Sequence, residues 1–118
     1  MFNFCLGAQR QGMASVYLNA LSTDVFGRRF AHVMTKEGVL LDALAPCDEP
    51  TSIAVVQLDA TGKASCAFYR QWVADTARAA GDVMSHWRSD VVALHTGCLM
   101  LTPPAWPHAQ SFTDELTG

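Results

Sequence analysis

Few residues of this chain are spaced to do chemistry by themselves. His32, His86, His95 and His108 show no metal-ligand spacing such as His-x-x-x-His, and Cys5, Cys47, Cys66 and Cys98 form no Cys-x-x-Cys pair. No metal site is expected, and no motif pairs a thiol with a histidine base. The cysteines read as free thiols of a reducing compartment, which points to the cytoplasm. Gly81-Asp82 lacks flanking glycines, and Asp24 stands where a helix N-cap belongs. Eight Lys and Arg against eleven Asp and Glu give a net charge of −3 with the basic residues scattered, so no nucleic-acid partner is expected. There is no secretory pattern at the start and no apolar run long enough to span a membrane, so no membrane partner is expected.

The elements that would position any site are legible in outline. Half of the 118 residues are hydrophobic and 16% are charged, enough for one domain with a core. Residues 3–11 predict a short helix capped by Asn3 and stopped at Gly12. Ala14 to Leu21 suits a buried strand. A helix follows from Asp24 to the stop at Gly38, with Phe26, Phe30, Val33 and Met34 on one face. Three strands are expected at 39–44, 51–58 and 64–69, the last two joined as a hairpin through Asp59–Lys63. Residues 74–87 predict a helix with Gly81 as its weak point, and Val91 to His95 a short buried strand. Trp72 and Trp87 are expected to pack in a core or lid. The Pro-rich stretch 102–107 excludes regular structure, and 111–116 could open another helix. The order is α/β with a parallel sheet, and the hairpin stands beside it as a lid.

Several stretches, in this order, resemble the PfkB/ribokinase family of carbohydrate kinases. Asn3-x-x-x-Gly7-x-x-Arg10-x-Gly12 resembles the family's N-terminal helix, although Gln11 replaces the usual Leu. Ser22-Thr23-Asp24-Val25-Phe26-Gly27 is similar to its G/S-x-D-x-F-G junction, and Glu37-Gly38-Val39 to the end of the next helix. Pro50 to Gly62 looks like its hairpin strand. Ala67-Phe68-Tyr69-Arg70 with Ala74-Asp75 is similar to fructokinase-like and 2-keto-3-deoxygluconate kinase-like members, and His95-Thr96-Gly97 resembles a later turn. The match runs from Asn3 to about Leu101.

The resemblance implies a partial ribokinase-like three-layer α/β/α domain over residues 1–118, with lid strands at about 39–45 and 51–70. It implies transfer of the γ-phosphate of ATP, with Mg²⁺, to a hydroxyl of a sugar or sugar acid. It also implies substrate contacts from Asn3, Phe68, Arg70 and Gly97, with Arg70 offering its fork to a substrate carboxylate. The same residues have plainer readings: Asn3 as a helix cap, Arg70 as an exposed strand end, and Gly97 as a steric requirement. The family's catalytic Asp lies in a Gly-Ala-Gly-Asp motif, and no Gly-x-Gly-Asp occurs here. A fragment holding part of the sugar side, inactive by itself, is therefore expected, with no catalytic residue and no ATP-binding segment. The alternative is a non-enzymatic module that binds a partner or dimerises through its lid strands.

Overall fold

The computed structural model describes residues 1–41, 45–78 and 80–97. Helix α1 spans Phe2–Arg10 and helix α2 spans Val25–Lys36. Both end on glycines in the left-handed region, Gly12 (φ 84°) and Gly38 (φ 87°), as their positions predict. Asn3 is not the cap of α1. Met1 holds that position without a side-chain bond, and Asn3 lies one residue inside the helix, exposed to solvent.

The two helices pack through Cys5 and Leu6 of α1 against Met34 of α2, and Val39 completes this buried cluster. Phe30 and Val33 join it, and the rings of Phe2 and Phe30 stand 4.9 Å apart. The helical face expected at 26–34 is therefore correct except at Phe26, which is half exposed. The first turn of α2 docks through Gly27, which lies against the backbone of Ser22 and leaves Phe26 turned outward. Across the far ends of the helices Arg10 donates to Glu37 twice, at 2.7 and 2.8 Å. The pair lies at the surface, where solvent screening leaves such a bridge little weight in stability.

The expected strand at 14–21 is not a regular strand. The segment is held beside residues 39–47 by two isolated parallel bridges, Val16–Leu40 and Ser22–Cys47. The offset between partners changes by one residue from the first bridge to the second, which interrupts a continuous ladder. Leu40, expected in a lid strand, thus pairs with Val16, and residues 42–44 lie outside the described set. The hairpin is as predicted. Strand β1 (Ile53–Leu58) pairs antiparallel with β2 (Ala64–Tyr69), Ile53 opposite Tyr69 and Leu58 opposite Ala64. Asp59 closes the turn by accepting from the amides of Thr61 and Lys63 and from the Thr61 hydroxyl.

Downstream the expectations hold less well. The helix predicted over 74–87 is a 3₁₀ turn at Ala74–Thr76 and a short helix α3 at Ala80–Met84. Trp72, expected in a core or lid, is 88% exposed and has a positive φ of 53°. Val91 to His95 forms no strand: no described segment pairs with it, and Val92 is 99% exposed. An apolar run becomes a strand only where a neighbour takes its backbone groups. The ring of His95 stacks on that of Phe4 at 3.6 Å, which holds this segment beside α1. The described residues thus contain helices and one two-stranded sheet, with the parallel sheet present only as isolated bridges. No described helix is long and apolar enough to cross a membrane. Cys98, the Pro-rich stretch and the helix expected at 111–116 lie outside the described residues.

Candidate functional site

The Asp24-Val25-Phe26-Gly27 junction organises the region where the polar groups collect. One carboxylate oxygen of Asp24 accepts from the Gly27 amide at 2.7 Å and from the Thr51 hydroxyl at 2.8 Å. The other accepts from the Thr51 amide at 2.8 Å. Asp24 is therefore a helix cap, as its position predicts, and it also ties α2 to the base of the hairpin. Donation from the Gly27 amide first, then from Thr51, holds this carboxyl well below the usual carboxylate range.

Beside this tie lies a cavity of about 190 Å³. The start of α1 and the 19–22 segment form one side of it, and Thr51 and Ser52 at the hairpin base form another. Ala74 and Asp75 line it from the 3₁₀ turn, with Gly97 completing the wall. Its polar groups are Asn19, Ser22, Thr51, Ser52, Asp75 and the Tyr17 phenol, with Phe2 and Phe30 as apolar faces. A few polar groups set among aromatic rings is the usual make-up of a small-molecule site. Asn19 is held in place by donating to the Asp75 carbonyl at 3.2 Å. Burial, with the Asp75 charge adding to it, pushes the Tyr17 phenol up to about 12.

A larger cavity of about 750 Å³ opens between α1, residues 13–19 and residues 91–96. Its walls are mostly apolar side chains such as Phe4, Met13, Val16, Leu40 and Leu94. The smaller cavity is the better candidate, because its polar side chains come from three separate parts of the chain, 17–22, 51–52 and 75, and converge.

Of the four residues expected to contact a substrate, only Gly97 lines this cavity. Asn3 is on the exposed side of α1, and Phe68 is 53% exposed on the hairpin. Arg70, just beyond β2, is 7% exposed, so the plain reading of an exposed strand end does not hold. Its Nη2 lies 3.6 Å from Oδ2 of Asp75, which does line the cavity. Asn19, Ser22, Thr51 and Asp75 were missed as site residues. Thr51 and Asp75 nevertheless stand in stretches whose pattern is recognisable, Pro50-Thr51 and Ala74-Asp75.

No protein-family model matches the chain, and no curated protein matches it significantly. Solved structures do match. A fructokinase from Xylella fastidiosa is 28% identical with a TM-score of 0.62, over 75% of this chain and 26% of its own length. A fructokinase from Vibrio cholerae O395 is 20% identical with a TM-score of 0.67, over 98% of this chain and 40% of its own. A PfkB protein from Polaromonas sp. JS666 is 20% identical with a TM-score of 0.59, over 69% and 28% respectively. The chain thus spans about a quarter to two-fifths of the length of the structures it matches. Helix, bridged segment, capped helix and hairpin follow one another in the order of the PfkB-like motifs, and in fold the chain is PfkB-like, similar to fructokinases over the part of them that it spans.

Proposed function

We propose that this chain is the sugar-side part of an ATP-dependent carbohydrate kinase and does not transfer phosphate by itself. In this reading residues 1–118 are part of a three-layer α/β/α domain with the β1–β2 hairpin as its lid, working in the cytoplasm. The observation that carries it is the 190 Å³ cavity under the hairpin base. Its volume is below the roughly 300–1,000 Å³ of drug-sized sites and suits a small polar ligand. Asn19, Ser22, Thr51 and Ser52 would orient the ligand's hydroxyls, and closure of the hairpin would exclude water.

In the whole enzyme ATP with Mg²⁺ would supply the phosphoryl group. In this reading the groups that hold that pair are not among the residues described here. Among them no group of three His, Cys, Asp or Glu side chains could hold a metal ion, and the sequence has no Gly-x-Gly-Asp for a base. No step through the nucleotide is therefore assigned to this chain. Calorimetry with a monosaccharide should show saturable binding, while a coupled assay should show no ADP. ADP formation that depends strictly on added sugar would overturn the second half of this reading, and absence of any sugar binding would overturn the first.

A second reading, self-association, is favoured by the hairpin itself. Every residue of β1 and β2 is exposed. Paired side chains share a face, so Ala54, Val56, Leu58, Ala64, Cys66 and Phe68 form one face with no polar side chain. A lone two-stranded ribbon is marginal in water, and such a face calls for cover. Light scattering should report a dimer for the wild type and a monomer for Val56→Asp. A wild-type monomer that melts cooperatively would overturn this reading.

A further inference from the structure

We propose that the larger cavity is a slot for one β-strand of a separate polypeptide, an apolar segment of about five residues added between residues 14–18 and 92–96. This slot is distinct from the small cavity and from the hairpin, and it stands or falls without the sugar-side reading. Side chains of an extended segment alternate between two faces, so a cavity over one face is lined by every second residue. The larger cavity is lined instead by every residue from Met13 to Asn19 and every residue from Val91 to Thr96. It therefore runs along the backbone edges of both segments.

The hydrogen bonds agree. The Tyr17 amide donates to the Leu40 carbonyl and the Leu40 amide to the Ser15 carbonyl, both at 2.9 Å. In that pattern the backbone groups of Ser15 and Tyr17 turn toward Leu40, and those of Val16 and Leu18 turn to the opposite edge. Among the described residues neither Val16 nor Leu18 has a backbone hydrogen bond on that edge, and none is made by the backbone of residues 92–96. Unspent N–H and C=O groups along both sides of one cavity are what an added strand satisfies. The lining says what kind of strand. Phe4 and Ala8 of α1 and Val83 of α3 contribute to it, with Val16 and Leu94 from the two edges. A strand covered by helices reads as a continuous Val, Ile and Leu run. The charged side chains of the lining are already engaged, Arg88 with Asp90 at 2.7 Å, Asp75 with Arg70 at 3.6 Å, and Arg78 with the Ala45 carbonyl at 3.3 Å. By sequence, residues 98–118 offer no such strand: their longest apolar run, 98–101, is followed closely by Pro103 and Pro104, which have no amide to give.

The test is fluorescence anisotropy of a labelled peptide, about five Val and Ile residues between terminal lysines, titrated with the full 118-residue chain. Saturable binding is expected, at least about tenfold tighter than for the same peptide with alternate amides N-methylated, which keeps the apolar side chains and removes donors. Leu94→Asp, which puts a charge into the lining, should weaken binding at least about tenfold. Equal binding of the two peptides would mean an apolar surface without strand pairing and overturns the proposal, as does binding of neither. The wild-type comparison decides the matter even where the variant does not fold. A wild-type dimer that Leu94→Asp disperses and Val56→Asp leaves intact would put a second copy in the slot, and overturns the separate partner.

Discussion

Gly27→Ala is expected to destabilise this chain by on the order of 3 kcal/mol or more, a large share of the roughly 5–15 kcal/mol that holds a domain together. A Cβ built at Gly27 would overlap the Ser22 carbonyl oxygen and sit 2.7 Å from the Ser22 carbonyl carbon and 2.8 Å from its nitrogen. All three are backbone atoms, so no side-chain rotation relieves the clash. Either α2 moves off the 19–22 segment or that segment loses its bridge to Cys47. Both movements also disturb the wall of the small cavity, which Ser22 lines. Gly7→Ala in α1 is the control. A Cβ there meets nothing within 4 Å, and a helix-interior Gly→Ala change is worth up to about 1 kcal/mol in the stabilising direction. Urea unfolding of the two variants should therefore move in opposite directions. Equal midpoints would mean that the close approach at Ser22 does not govern the fold.

Asp24→Ala is expected to cost about 2–4 kcal/mol, more than a helix cap alone. Loss of a cap typically costs about 1 kcal/mol, and the Thr51 amide would lose its partner as well, which adds about 1–3 kcal/mol. Asp24→Asn should fall between wild type and Ala, because an amide can still accept at one oxygen but not at its nitrogen. The acid dependence follows from the depressed carboxyl. Since its folded value lies below the unfolded one of about 3.9, its contribution is fully present above that pH and is lost as pH falls further. Urea midpoints measured from pH 6 down to pH 2.5 should drop steeply below about pH 4 in the wild type, and less steeply in Asp24→Asn. Parallel slopes in the two proteins would mean that other carboxyls carry the acid sensitivity.

Local rules made the first part of the fold legible. Gly12 and Gly38 announce their helix ends because a left-handed residue is required there, and Asp24 announces its helix because a carboxylate suits free amides. The hairpin could be read because its turn residues and the two extended runs are contiguous. The stretches 14–21 and 91–95 were misread for a shared reason. Their apolar composition favours strands, but a strand exists only where neighbours accept its backbone groups. At 14–21 those neighbours are reached through two interrupted bridges, and at 91–95 through none that is described.

The site divides in the same way. Its residue types were visible in the sequence, as were the PfkB-like motifs that include Pro50-Thr51 and Ala74-Asp75. Which of them meet was not, because the cavity gathers residues from positions 1–2, 17–22, 30, 51–52, 74–75 and 97. Arg70 shows the difference most plainly. By itself the sequence determined a strong cation at the end of a strand; only the tertiary structure decided that it would be buried beside Asp75. Charge type is a property of one residue, whereas the partner that neutralises it is set by chain packing.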